Sequence, residues 1–197
     1  MSRDKLTTRD RILQSAWRLL ETDPGHGVRM SDIAKDAGIS RQALYLHYPT
    51  RADLLIATTR YLDEIKNVDE RLAPSRSAET GPERLDAFIE AWGNYVPEIY
   101  GVAKALLAMK DSDEAADAAW NDRMQAVRHG CKVAVKALAR DKLLVADLTE
   151  KQATDLLWTW LSIRNWEHLT RACGWSQQQY IRFLKSSARR MLLSDDI

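Results

Sequence analysis

Side chains of the kinds that read nucleic acid crowd one short stretch of the chain, "SRQALYLHYPTR", from Ser40 to Arg51. Arg41 brings a guanidinium that can pair with O6 and N7 of guanine, and Gln42 an amide that matches N6 and N7 of adenine. Leu46, or the ring of Tyr45, can pack on a thymine methyl. The Ser40 hydroxyl, the His47 imidazole and the Arg51 guanidinium stand at helix ends, where they can reach backbone phosphates and set orientation without reading sequence. Taken singly, each has a blander use: Tyr45 and Tyr48 as core aromatics, His47 as a solvated histidine, Arg51 as part of a charged face.

Such a set reads DNA only if one helix presents it. The preceding segment, "MSDIAKDAG", predicts a short helix over about Ser31 to Ala37 with Ile33, Ala34 and Ala37 inward, and Gly38 supplies the left-handed residue that follows a helix C-terminus. Ser40 then caps a helix that stops near Tyr48, because Pro49 disfavours the α conformation at the residue before it. Two short helices joined by a tight glycine turn form a helix-turn-helix, whose second helix can lie in a DNA major groove. In that helix Leu44 and Tyr48 are four apart and face inward with Ile33, Ala34 and Ile39. Gln42, Tyr45 and Leu46 are left outward, with Arg41, Ala43 and His47 beside them.

Helix-period spacing runs through almost the whole chain, so the predicted fold class is all-α. A first helix from about Thr8 to Glu21 carries Ile12, Leu13, Ala16, Trp17 and Leu20 on one stripe and ends at "DPGHG", Asp23 to Gly27. A fourth covers about Thr50 to Lys66. The polar residues 67 to 82, with Pro74, Gly81 and Pro82, read as a loop or boundary. Beyond them, helices are predicted over about Pro82 to Val96, Pro97 to Met109, Asp113 to Ala139, Thr149 to Cys173 and Ser176 to Leu193. The expected organisation is a DNA-binding domain over residues 1–50, a connecting helix over about 50–66, and a larger helical domain over 67–197 for effector binding and dimerisation.

The 197 residues carry a formal net charge of +1, with 45% hydrophobic and 29% charged side chains, which suits one or two globular domains. No apolar run approaches the ~20 residues of a membrane span, and "MSRDKLTTRD" has no apolar core of a signal peptide, so a cytoplasmic location without a membrane partner is expected. The near-neutral sum hides a split: residues 1–51 hold nine basic and six acidic side chains, a charge of +3, which leaves −2 elsewhere. Arg3, Lys5 and Arg9, which precede or open the first helix, can reach the minor groove or backbone, with a simply solvated basic start as the favoured reading. Cys131 and Cys173 have no partner at metal-ligand spacing; they are expected to be reduced, buried and apolar in character, with no metal or cofactor.

The spacing of Gly38, Ser40, Leu44, Tyr45, His47, Tyr48, Pro49, Arg51, Leu54 and Leu55, in "DIAKDAGIS" and "ALYLHYPTRADLL", resembles the TetR family of transcriptional regulators over about residues 8–65. That family's signature has an Ile-Ala pair, an Ala-Gly turn, then Leu-Tyr-x-His-Phe and a Lys before a Leu-rich helix. Here Tyr48 replaces the usual Phe, adding a hydroxyl that needs a partner, and Arg51 replaces the usual Lys, keeping the cation. The Thr often found near position 29 is missing from "VRMSD", which shifts the expected cap, and the phosphate contact that goes with it, to Ser31. The resemblance implies a sequence-specific regulator, by family habit a repressor, that binds palindromic double-stranded DNA as a homodimer and responds to a small molecule.

One helix-turn-helix makes few contacts, so a two-fold pair is expected. Leu157, Trp160 and Leu161, with Ile181, Leu184, Ala188 and Met191 of the last helix, are the candidate interface; a monomeric bundle burying the same residues is the alternative. Six of the seven tryptophans lie beyond residue 90. Trp92, Tyr95, Tyr100, Trp120 and Trp166 are candidate walls for a small aromatic, hydrophobic or cationic effector, with ordinary core packing as the alternative.

An enzyme is not expected: His26, His47, His129 and His168 show no paired spacing with Cys or acids, and there is neither a Gly-rich phosphate loop nor a nucleophile motif. A charge of +3 is modest for DNA packaging by counterion release. A helical dimeric sensor or adaptor without specific DNA binding is the competing class.

Overall fold

A computed structural model describes residues 6–22 and 28–194, in which the regular structure is helical and the one β-type pairing is an isolated bridge, Leu144 with Leu193. The helices are α1 (Thr8–Thr22), α2 (Met30–Asp36), α3 (Arg41–His47), α4 (Arg51–Ile65), α5 (Val68–Ser77), α6 (Gly81–Met109), α7 (Glu114–Arg140), α8 (Glu150–Trp160), α9 (Ile163–Glu167) and α10 (Gln177–Leu192), with one π-helical turn, His168–Ala172, after α9. The fold is all-α, as the periodicity predicts. The turn expected at Asp23 to Gly27, and Arg3 and Lys5, lie outside the described residues. By packing, the chain forms two units: residues 1–65 with 99–123, and residues 66–98 with 124–197. The second cut falls inside α6 and the third inside α7, places that carry no composition change.

In the first unit, short polar side chains start the helices. The Thr7 amide donates to the Asp10 carboxylate at 3.0 Å while the Asp10 amide donates to Thr7 Oγ1 at 3.1 Å, and Thr50 and Asp53 repeat the arrangement at α4. The exception is α2. Its N-cap is Arg29, with no side-chain cap bond, and Ser31 stands inside the first turn, where its hydroxyl reaches only Asp32 at 3.4 Å. Met30 is drawn into the core, so the helix begins a residue before the expected cap. Ile12, Leu13 and Leu20 of α1, Ile33 of α2, Leu44 of α3 and Leu54, Leu55 and Leu62 of α4 are buried together with Leu106 and Ala116. Each such aliphatic side chain contributes roughly 1.5–3 kcal/mol by leaving water.

Three ion pairs tie α4 to the start of α7: Arg51 with Asp113, Arg60 with Asp122, and Asp63 with Arg123. The second pair lies nine residues beyond the first along both partners, so α4 and this part of α7 run in the same direction.

In the second unit three sequence expectations are corrected. Residues 68–77, read as loop, form α5: this polar helix has no apolar period and is held by side chains, with Arg71 donating to Glu98 at 2.6 Å and to the Lys66 carbonyl at 2.7 Å. Pro97 does not divide α6, which runs unbroken from Gly81 to Met109. A proline leaves the carbonyl four residues back without its helical donor, and here that carbonyl, of Gly93, accepts from the Gln177 side-chain amide. The helix expected over 149–173 is broken instead at Leu161. Ser162 leaves the helical conformation and accepts the Arg164 amide at 3.3 Å to start α9, and the freed Leu161 carbonyl accepts Trp92 Nε1 at 2.8 Å. Gly174, at φ 71°, ends the π turn, and Ser176 and Gln179 form a capping box for α10. No helix of the described residues is long and apolar enough to cross a membrane.

Candidate nucleic-acid interface

Four local devices set α3 in place. Gly38 adopts φ 66°, which lets the chain turn sharply after α2. Arg11 of α1 donates to the Ala37 carbonyl at 3.2 Å, closing the C-terminal end of α2. Ser40 Oγ accepts the Ala43 amide at 3.1 Å, and Tyr48 leaves the helical region ahead of Pro49. Leu44, fully buried, and Tyr48, 7% exposed, anchor the helix from its inner side, as their spacing predicts.

The outer side is what the inward pair leaves. Arg41, Gln42, Tyr45, Leu46 and His47 are exposed, Ser40 and Ser31 are exposed at the starts of their helices, and Ala43 is half-buried. Leu46 is 83% exposed and stands in solvent beside the exposed Tyr45 ring, so the outer side of α3 carries adjacent apolar and polar groups. The Arg41 guanidinium lies 5.5 Å from the centre of the Tyr45 ring and approaches its hydroxyl at 3.4 Å, which holds the two one helical turn apart as a pair. The Tyr48 hydroxyl makes no hydrogen bond of normal geometry among the described residues; Arg9 of α1 is the group that approaches it.

Arg51 differs from its neighbours. Its Nε donates to the Val28 carbonyl at 2.8 Å, and its Nη1 donates to both oxygens of Asp113 at 2.6 and 2.5 Å. Asp113 also accepts the Ala115 and Ala116 amides at 3.0 and 3.2 Å and so caps α7. Burial alone would raise the Asp113 carboxyl, but Arg51 and the two amides outweigh it and hold it below the ordinary aspartate value. The pair lines an open cleft of about 510 Å³ together with Arg29, Ser31, Arg41 and Tyr45. Sequence reasoning missed Asp113: "SDEAA" reads as a helix start, but nothing in it points to a partner 62 residues earlier.

The five aromatic candidates do not fall in one unit. Trp92 and Tyr95 meet edge to face at 6.3 Å in the second, with Arg71 5.9 Å from the Tyr95 ring centre; Trp166, also there, is buried, donates to Gln177 Oε1 at 2.8 Å and lies under Arg171. Tyr100, under the Lys104 ammonium, and Trp120, against the aliphatic core, are in the first. A groove of about 470 Å³ in the second unit is lined instead by charged side chains, among them Glu83, Asp86, Glu90, Lys185 and Arg189.

Of the candidate interface residues, Leu157, Leu161, Ile181, Leu184 and Ala188 are buried within the chain itself, while Trp160 and Met191 are half-buried. The apolar side chains that α8 and α10 leave outside are Leu156, 36% exposed, and Phe183, 41% exposed and edge-on to Trp175 at 5.1 Å. The cysteines split against expectation. Cys131 is buried, which pushes its thiol up to about 12, whereas Cys173 follows the π turn and is exposed, because that turn carries no buried side chain.

Residues 12–58 match the family model described as bacterial regulatory proteins, tetR family. Over a similar length the chain is 30% identical to the nucleoid occlusion factor SlmA of Shewanella amazonensis (63 residues) and 33% identical to that of Shewanella baltica (60 residues). These matches span about a third of this chain and of each relative. Whole-chain likeness comes from solved structures. NalD of Pseudomonas aeruginosa, the secondary repressor of the MexAB-OprM multidrug efflux pump, superposes with a TM-score of 0.68 at 20% identity, covering 96% of this chain and 98% of that one. The fatty acid degradation regulator FadR of Bacillus halodurans gives 0.72 at 16% identity over 91% and 97%. A TetR transcription regulator of Haloarcula marismortui gives 0.66 at 20% over 95% and 98%. At such identities the likeness is one of fold.

Proposed function

We propose that this chain, whose residues 12–58 match the model of the bacterial regulatory proteins of the tetR family, is a sequence-specific DNA-binding transcriptional regulator, a repressor that leaves a palindromic operator when a small aromatic or hydrophobic molecule binds. The observation that carries the reading is the outer side of α3. A capped, internally anchored helix holds Arg41, Gln42, Tyr45 and Leu46 in solvent, and the 83% exposure of Leu46 has no use in folding. Arg41 and Gln42 supply bidentate base contacts, and Leu46 and the Tyr45 ring supply apolar contact to thymine methyls. Ser31, Ser40 and His47 touch phosphate at the rim, and Ala43 lets the backbone come close.

Residues 1–50 do the reading, and residues 67–197 bind the effector and dimerise. Leu156 and Phe183, with the half-buried Trp160 and Met191, support α8 and α10 as the face that meets a second copy, while Leu157, Leu161, Ile181, Leu184 and Ala188 set that face from behind. Trp92, Tyr95 and Trp166, which share the second unit, are the rings offered to the effector. Binding there favours a dimer whose two α3 helices no longer match major grooves about 34 Å apart, and DNA is released. The protein acts in the cytoplasm, where its DNA is, without a catalytic step.

Selection of random duplex DNA on the full-length protein at physiological salt, followed by sequencing, tests the reading. A short palindrome is the expected product. No enrichment by a folded protein would replace the regulator with a helical dimeric sensor or adaptor.

A further inference from the structure

An acid beside a DNA-reading helix needs an explanation. Asp113 lines the same cleft as Arg29, Ser31, Arg41 and Tyr45, and a carboxylate there repels the phosphates that those groups would attract. Its two oxygens are taken by Arg51, which is the cation that sequence pattern alone would give to a phosphate. Two of the three Arg51 nitrogens are therefore already engaged, Nη1 by Asp113 and Nε by the Val28 carbonyl, two residues before α2 begins. Asp113 is in turn fixed by the first two amides it caps in α7. Both side chains of the pair are 23% exposed, so the contact is partly screened from solvent and is more than a rim ion pair.

We propose that Arg51 is a positioning residue and not a phosphate contact: with Asp113 it joins the start of α4 to the start of α2 and the cap of α7, and so fixes the angle at which α3 meets DNA. The proposal rests on the DNA-reading function above and deepens it. Three helix starts converge on one guanidinium, and α3 lies in the chain between two of them. Losing the joint lets α3 reorient without unfolding, which weakens sequence-matched contacts and leaves sequence-independent attraction intact.

Asp113→Asn separates the two roles by sign. Asparagine is as good a helix cap as aspartate, so α7 keeps its start and only the charge is lost. If Arg51 served phosphate, this change would free it and add a unit of positive charge, so that operator and random duplex would both be bound as tightly or more tightly. The joint predicts operator binding about tenfold weaker, with random-duplex binding unchanged or tighter. Arg51→Gln should give the same loss of discrimination with no change in the salt dependence of binding, where a lost phosphate contact would reduce the log–log slope by about 0.9. The double variant should be no weaker than the weaker single one. In the free protein, amide exchange over residues 41–47 should quicken at least about tenfold in Asp113→Asn.

Operator affinity that is kept or improved in Asp113→Asn overturns the proposal, as does unchanged exchange over α3. If the natural protein enriches no DNA sequence, the regulatory reading fails and the exchange experiment still decides the joint by itself. Should Asp113→Asn not fold, Arg51→Lys, which keeps the charge and loses the planar fork, takes its place with the same expected signs.

Discussion

The side-chain amide of Gln177 donates to the carbonyl of Gly93, the acceptor that Pro97 has no N–H to fill, and the other end of the same amide accepts the Trp166 indole N–H at 2.8 Å. One glutamine thus satisfies the defect of a proline inside α6 and fixes a tryptophan on α9. Gln177→Leu strips both partners at once and should cost about 2–4 kcal/mol, read from the urea midpoint. Pro97→Ala returns an N–H to Gly93. It should therefore recover more stability in the Gln177→Leu background than it adds to the natural chain, and equal effects in both backgrounds would refute the link.

Tyr45→Ala and Leu46→Ala should each weaken operator binding by about 1–3 kcal/mol. Both side chains are exposed, so melting should move by no more than about 0.5 kcal/mol. Ser40→Ala behaves differently. It removes the cap of α3 and should lose about 1 kcal/mol of stability as well as affinity. Titration calorimetry with the selected duplex and thermal melts of the same samples separate the two patterns.

Acid should unfold the protein through its paired carboxylates. Asp113, Asp122 and Glu98 are each pushed up by burial but held lower overall by arginine or lysine partners, and Asp155 is lowered by Arg128 and Lys151. Groups with depressed native values stabilise the fold above the ordinary carboxyl range, and that contribution is lost as pH falls through the native values. Urea midpoints should be flat from pH 7 to about 5 and fall below about pH 4.5. Asp113→Asn should show a shallower fall, and an identical fall would remove Asp113 from the account.

The cysteines should be chemically distinguishable. With its thiol near 12, Cys131 holds about one thiolate in ten thousand at pH 8 and has no solvent path, while Cys173 is exposed. A thiol reagent at pH 8 should label one equivalent in the native protein and two in denaturant. Cys173→Ser should abolish the native labelling, and labelling that persists would mean that Cys131 opens to solvent.

What the amino-acid order made legible was whatever neighbours in the chain decide. Ser40 and Pro49 bound α3, and the four-residue step from Leu44 to Tyr48 separates its inner from its outer side. The devices that were not legible act across long separations. Pro97 reads as a break until a glutamine 84 residues beyond Gly93 supplies the missing donor, and α5 reads as loop until Glu98 holds Arg71 across 27 residues. Leu156 and Leu157 show a third limit. Both belong to one apolar run, but a rotation of 100° puts one in the core and the other in solvent, and composition cannot say which.

The ion pairs between α4 and the first turns of α7 share a register: Arg51, Arg60 and Asp63 meet Asp113, Asp122 and Arg123 in order, with charges of one sequence mirrored in the other. Like the pins of a lock, they engage only at one offset. A slide of one turn would part all three pairs together, so each of them favours the same single register of α4 against residues 113–123.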